Sequence, residues 1–177
     1  MILLELVFLI FLLYIIYLLV YSMLKGAPYA PIHKEHLPVM LKLLKIKKGE
    51  KAVDIGAGDG RIVIALAKAG AEAHGFEINP LLVLWAYWNI FLSGTRGKAH
   101  IHLKNFIKAD FSEFDIFTTY LTQFGMKNVE KKLITEAKPS ARLAADFFQL
   151  PNWKASKHEG TIYLYEVKKN KKLGIKS

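Results

Sequence analysis

The sequence predicts an α/β protein in which one transmembrane helix precedes a mostly parallel sheet with an antiparallel edge strand. Three observations carry this. They are a charge-free apolar run from Leu6 to Leu24, an alternation of strand and helix patterns after Gly49, and a glycine-rich turn where the first of those strands meets the first helix. With 177 residues, a formal charge of +10 and 53% hydrophobic residues, the chain has room for one good core and is neither disordered nor low in complexity. It contains no cysteine, which excludes disulfides, thiolate metal sites and a cysteine nucleophile.

The first element is the run LVFLIFLLYIIYLLVYSML. At about 1.5 Å per helical residue it nearly matches a hydrocarbon core of about 30 Å, so residues 1–24 are expected to form a membrane anchor. A signal peptide would need a basic leader, and Glu5 is the only early charge. Lys25 and Lys34 follow the run, a bias that puts the main domain of this single-pass protein on the cytoplasmic side of the membrane. Residues 25–48 then read as a linker and a basic amphipathic helix. Gly26, Pro28 and Pro31 stop the first helix. Leu37, Met40, Leu41 and Leu44 share one face between His33 and Leu44, with Lys42, Lys45, Lys47 and Lys48 on the others. Such lysines suit anionic lipid head groups.

Residues 49–177 form the globular domain. Strands are expected at Lys51–Ile55, Ala71–Glu77, His100–Lys104, Phe114–Tyr120, Arg142–Phe148 and Thr161–Val167, and helices at Arg61–Ala69, Pro80–Leu92 and Lys127–Ala137. The dozen residues before Thr161 contain Pro151 and Gly160 and no helical period, so the last strand is reached by a loop and returns antiparallel at the edge.

The chemistry sits in Val53-Asp54-Ile55-Gly56-Ala57-Gly58-Asp59-Gly60-Arg61. Glycines at alternate positions let the backbone turn tightly and approach a ligand, which belongs at the C-terminal end of the strand. The spacing is G-x-G-x-G after an acid, not the G-x-G-x-x-G that seats a pyrophosphate. Asp54 would repel a pyrophosphate but hold an ammonium through water or backbone. Glu77, followed by Ile78 at the end of the second strand, is placed to accept from both hydroxyls of a ribose. A ligand with a ribose and an amino acid but no phosphate fits, and S-adenosyl-L-methionine is such a ligand.

These residues bring out a resemblance. The chain resembles the class I methyltransferases, and specifically the small membrane-anchored protein-lysine methyltransferases of the ATP synthase c-subunit and the adenine nucleotide translocase, with their prokaryotic relatives. The matching segments are Pro28-Tyr29-Ala30-Pro31, DIGAGDGRIVIALAKAG from Asp54, F-E-I-N-P from Phe76, and KPSARLAADFFQLPNW from Lys138. The resemblance implies a reduced Rossmann-like class I methyltransferase fold, S-adenosylmethionine as methyl donor and a protein lysine as acceptor. It places Tyr29, Asp54, Gly56, Ala57, Gly58, Gly60, Glu77, Ile78, Asn105 and Phe106 at the cofactor.

The family's acid after the third strand, which accepts from the adenine amino group, falls on Asn105 when counted without gaps, with Asp110 as the rival. Asn105 is preferred, because Asp110 leaves almost no room before the fourth strand and an amide oxygen still accepts. Tyr120-Leu121-Thr122-Gln123 lacks the N-P-P-Y of methyltransferases acting on adenine or glutamine. Tyr29, Tyr120, Thr122, Asp146, Phe147 and Trp153 reach the mouth of the sheet in this topology. Tyr29, Tyr120 and Asp146 are the candidates for work on the acceptor, while Phe147 and Trp153 fit core packing as well as substrate contact. The histidines have no metal-ligand company, so no metal is expected. The positive charge, with Lys168, Lys169, Lys171 and Lys172, also suits nucleic acid, a partner that an apolar anchor disfavours. A cofactor-binding chain without turnover is the third alternative.

Overall fold

The computed structural model describes residues 2–25 and 30–167. The helices are α1 (Ile2–Lys25), α2 (His36–Leu44), α3 (Arg61–Lys68), α4 (Pro80–Ser93) and α5 (Gln123–Thr135). The strands are β1 (Lys51–Ile55), β2 (Glu72–Glu77), β3 (Ala99–Leu103), β4 (Ile116–Thr119), β5 (Arg142–Asp146), β6 (Lys157–Glu159) and β7 (Ile162–Glu166). One seven-stranded sheet has the order β3-β2-β1-β4-β5-β7-β6. Neighbours from β3 to β5 pair in parallel and β7 runs antiparallel to both β5 and β6. The expected antiparallel return is β7, but the edge itself is β6, a short strand formed in the loop before it, so β7 lies one place in from the edge.

Strand alternation divides the core in two. Ala52, Ile116 and Ala144 face α2, α3 and α4, whereas Val53, Phe117 and Leu143 face α5. Asp54, Thr118 and Asp146 each lie two residues further on and share the α2–α4 face. The strand order reverses between β1 and β4, which opens a crevice at their C-terminal ends.

Local chemistry sets the helix ends. In α4 the Asn79 side chain caps the amide of Leu81, Pro80 occupies the first turn and Gly94 closes the helix at φ 72°. Pro38 falls in the first turn of α2, where a missing N–H costs little. α4 has no charged residue, and its outer surface exposes Leu84 (66%), Trp88 (59%) and Leu92 (65%).

α1 is a helix of 24 residues, about 36 Å at helical rise. The expected span Leu6–Leu24 lies partly outside the described side chains, and among the described residues no helix is long and apolar enough to cross a membrane.

Gly75 in β2 shows how tightly the strands support the turn above them. A Cβ there would stand 2.6 Å from Ala57 Cβ and 2.8 Å from both Ile101 and Val63. Gly75→Ala is expected to destabilise the fold by about 1–3 kcal/mol through overpacking, read as a fall in melting temperature of about 2–4 °C per kcal/mol.

Candidate active site

Gly56, Gly58 and Gly60 all adopt left-handed backbone, with φ of 82°, 54° and 80°. The amides of Gly56 and Ala57 both donate to the Phe76 carbonyl, each at 3.0 Å, which ties the turn to β2. A Cβ on Gly56 would meet Leu121 at 2.8 Å, so glycine is required there twice over. Gly60 opens α3, with Asp59 before it and Arg61 after it. The Arg61 guanidinium clamps the Asp59 carboxylate at 2.6 Å, and its Nη1 donates to the carbonyl of Ile32.

Glu77 reaches from the end of β2 into this turn. Its Oε2 accepts from the Gly58 amide at 2.9 Å, and its Oε1 accepts from the amides of Ile78 and Asn79 at 2.8 Å each. The side chain that sequence reasoning assigned to a ribose thus also braces the backbone. A carboxylate has about four acceptor sites, so three amides leave capacity for a hydroxyl.

Asp54 lies beneath the turn, 1% exposed. Thr118 Oγ1 donates to its Oδ1 at 2.8 Å, and Oδ2 has no partner. Burial pushes the carboxyl up to about 8, against the Thr118 hydrogen bond and with repulsion from Glu77 and Asp59. Asp54 is thus buried below the turn with one oxygen unpartnered.

Asn105 lies two residues past β3, near the level of Glu77, because the Lys104 amide donates to the Glu77 carbonyl at 2.9 Å. Its side chain caps a short 3-10 turn, Phe106–Lys108, by accepting from the Ile107 amide. Phe106 packs against the α5-side core. Asp110 lies beyond that turn and is exposed, and its carboxylate is held below the usual range by hydrogen bonds from Ser112. Asn105 is therefore the nearer of the two to the end of β3.

On the acceptor side, Tyr120 directly follows β4 and packs on the α2–α4 side core. Thr122 stands at the head of α5 without capping it. Asp146 ends β5 at the same level, since Thr119 pairs with Ala145. It is 1% exposed, and both its oxygens are taken, Oδ2 by His36 Nδ1 at 2.9 Å and Oδ1 by Thr161 Oγ1 at 2.7 Å. Phe147 follows at φ 67° with its ring exposed, whereas Trp153 is a core residue. Tyr29 lies outside the described residues. Sequence reading missed Thr118 and His36, whose partners lie 64 and 110 positions away, and Thr161, which it placed only as the start of a strand. Among the described residues no group of three or more His, Asp or Glu is arranged to hold a metal.

A solved RNA methyltransferase from Salinibacter ruber, in complex with S-adenosyl-L-homocysteine, is 27% identical with a TM-score of 0.75, over 78% of this chain and 94% of that one. The human ATP synthase c-subunit lysine N-methyltransferase is 34% identical over 144 residues, 79% of this chain and 61% of the relative. The chain thus spans about three fifths of that protein's length. A protein-lysine N-methyltransferase of Saccharolobus islandicus is 31% identical over 160 residues, 85% of this chain and 99% of the relative. The family model described as the ANTKMT methyltransferase domain matches residues 54–157. With that match over more than half its length, the chain belongs to the ANTKMT methyltransferase domain family.

Proposed function

We propose that the chain is an S-adenosylmethionine-dependent protein-lysine N-methyltransferase, held at a membrane by α1. The observation that carries the reading is the glycine turn braced by Glu77 at the C-terminal ends of β1 and β2. The residues fit the cofactor. Three left-handed glycines leave the backbone bare, Asn105 and Phe106 stand one strand beyond Glu77, and the carboxyl of Asp54 retains an unused buried oxygen. When bound, the cofactor supplies a methyl group on a sulfonium. The chain's residues align the acceptor and exclude water, since little covalent assistance is required. The acceptor must be a neutral amine, and a free lysine has a pKa of about 10.4. The naming of relatives as lysine methyltransferases supports this acceptor.

The membrane part of the proposal rests on the charge-free run Leu6–Leu24 and on the exposed apolar side chains of α1 and of α4. Lys25 and Lys34 favour a cytoplasmic active site. RNA methylation is the second reading, favoured by the charge of +10 and by the likeness to the Salinibacter protein.

Incubating the full chain with membranes, RNA and methyl-tritiated S-adenosylmethionine tests both. Label is expected as methyl-lysine in the membrane-protein fraction, and the chain itself in the pellet after alkaline carbonate. Label confined to RNA would replace the first reading with the second, and release by carbonate would remove the anchor.

A further inference from the structure

Asp146 is 1% exposed and both its oxygens accept hydrogen bonds, from His36 and Thr161, so burial keeps it from an acceptor. α2 runs antiparallel to β5, with Arg142 Nε donating to the Leu44 carbonyl at one end and His36 bonded to Asp146 at the other. The first turn of α2 therefore stands at the C-terminal edge of the sheet, beside Tyr120. The segment leading into it is tied to the glycine turn, because Arg61 binds both the Ile32 carbonyl and Asp59. The imidazole is thus anchored between the cofactor turn and the end of β5, with 26% of its side chain exposed.

We infer that His36 is the proton acceptor for the lysine substrate, with Asp146 and Thr161 as its positioning residues; this rests on the lysine reading of the site. The Thr161 hydroxyl donates to Asp146 Oδ1 and leaves Oδ2 to accept from His36. An accepting carboxylate fixes the proton of the neutral ring on Nδ1, so Nε2 carries a lone pair. In the step, an N–H bond of the lysine ammonium breaks and its proton moves to Nε2. The freed nitrogen lone pair forms a bond to the methyl carbon, and the electrons of the S–C bond remain on sulfur as a neutral thioether. The imidazolium, stabilised by Asp146, then releases its proton to water.

Among the described residues, the charged and titratable groups around the ring are these. Asp146 faces it from β5 and His33 lies 5.2 Å away ring to ring. Lys34 and Glu35 precede it in the chain. Arg61, at the head of α3, is closed on Asp59, and Glu159 on β6 is closed on Lys42.

His36→Asn keeps a donor near the Nδ1 position but cannot take up a proton. Methyl transfer to membrane-protein lysine at pH 7 is expected to fall by about 10²-fold or more, the lower range of general-base effects. The deficit should shrink towards about pH 10, where the substrate amine loses its own proton. Affinity for S-adenosyl-L-homocysteine by calorimetry should stay within about threefold. Asp146→Asn, which removes the acceptor that holds the ring proton on Nδ1, should lower methyl transfer at pH 7 with the same recovery towards about pH 10. Wild-type activity in His36→Asn would overturn the assignment, as would an equal deficit at every pH accompanied by lost cofactor affinity, the result of a merely structural pin. If the wild-type chain labels no lysine at all, the acceptor reading falls and takes this inference with it.

Discussion

Glu77→Ala is expected to cost the fold about 3–5 kcal/mol and to weaken S-adenosylmethionine binding by more than about 100-fold. The carboxylate accepts from three backbone amides, those of Gly58, Ile78 and Asn79. Hydrogen bonds to a charged group contribute about 1.5–3 kcal/mol each, and water can replace part of that at this half-open site. The loss falls on the backbone of the glycine turn itself, so affinity should drop even where the variant remains folded. Glu77→Gln separates the two contributions. Its amide oxygen still accepts from one side, but its NH2 group opposes an N–H on the other. Calorimetry below the melting temperature of each variant measures the binding. Unchanged affinity in Glu77→Ala would remove Glu77 from the cofactor site.

Asp54→Asn should have the opposite effect on stability, and only at one end of the pH scale. Burial pushes the Asp54 carboxyl to about 8, far above its value of 3.8 in an unfolded chain. The native protein therefore keeps a proton that the unfolded chain releases above about pH 4. The stability linked to that proton is complete below the unfolded value and is lost as pH rises through about 8. The neutral amide has no such loss. Asn at this position should melt at nearly the wild-type temperature at pH 4 and several degrees higher at pH 8, with each pKa unit equal to about 1.4 kcal/mol. A difference independent of pH would show that Asp54 is ionised in the folded state throughout.

The strands that position the site were legible because each combines an apolar run with punctuation at its end. Lys51–Ile55 agrees with β1 to the residue, and β2 begins one residue later than expected, at Glu72. Elements without a buried face escaped. β6 is three exposed residues, Lys157–Glu159, and carries no alternation to detect. α5 begins at Gln123, four residues before the expected start, since Gly125 in the first turn argues against a helix that tertiary packing nevertheless forms. The cofactor half of the candidate site was legible because it is local, with Asp54, the glycines and Glu77 lying within 24 residues. The acceptor half was not, because His36 and Asp146 are separated by 110 positions and meet only when α2 packs on β5. The sheet brings together what no window of sequence contains.

The two outer strands also determine how this molecule meets others of its kind. An open strand edge is a template for a second chain, and proteins guard such edges with short strands and charge. β6 is short and carries Lys157 and Glu159, while β3 is bracketed by Lys98 and Lys104. Two copies aligned edge to edge along β3 would bring lysine against lysine. Among the described residues, charge at both edges thus disfavours extension into a larger intermolecular sheet.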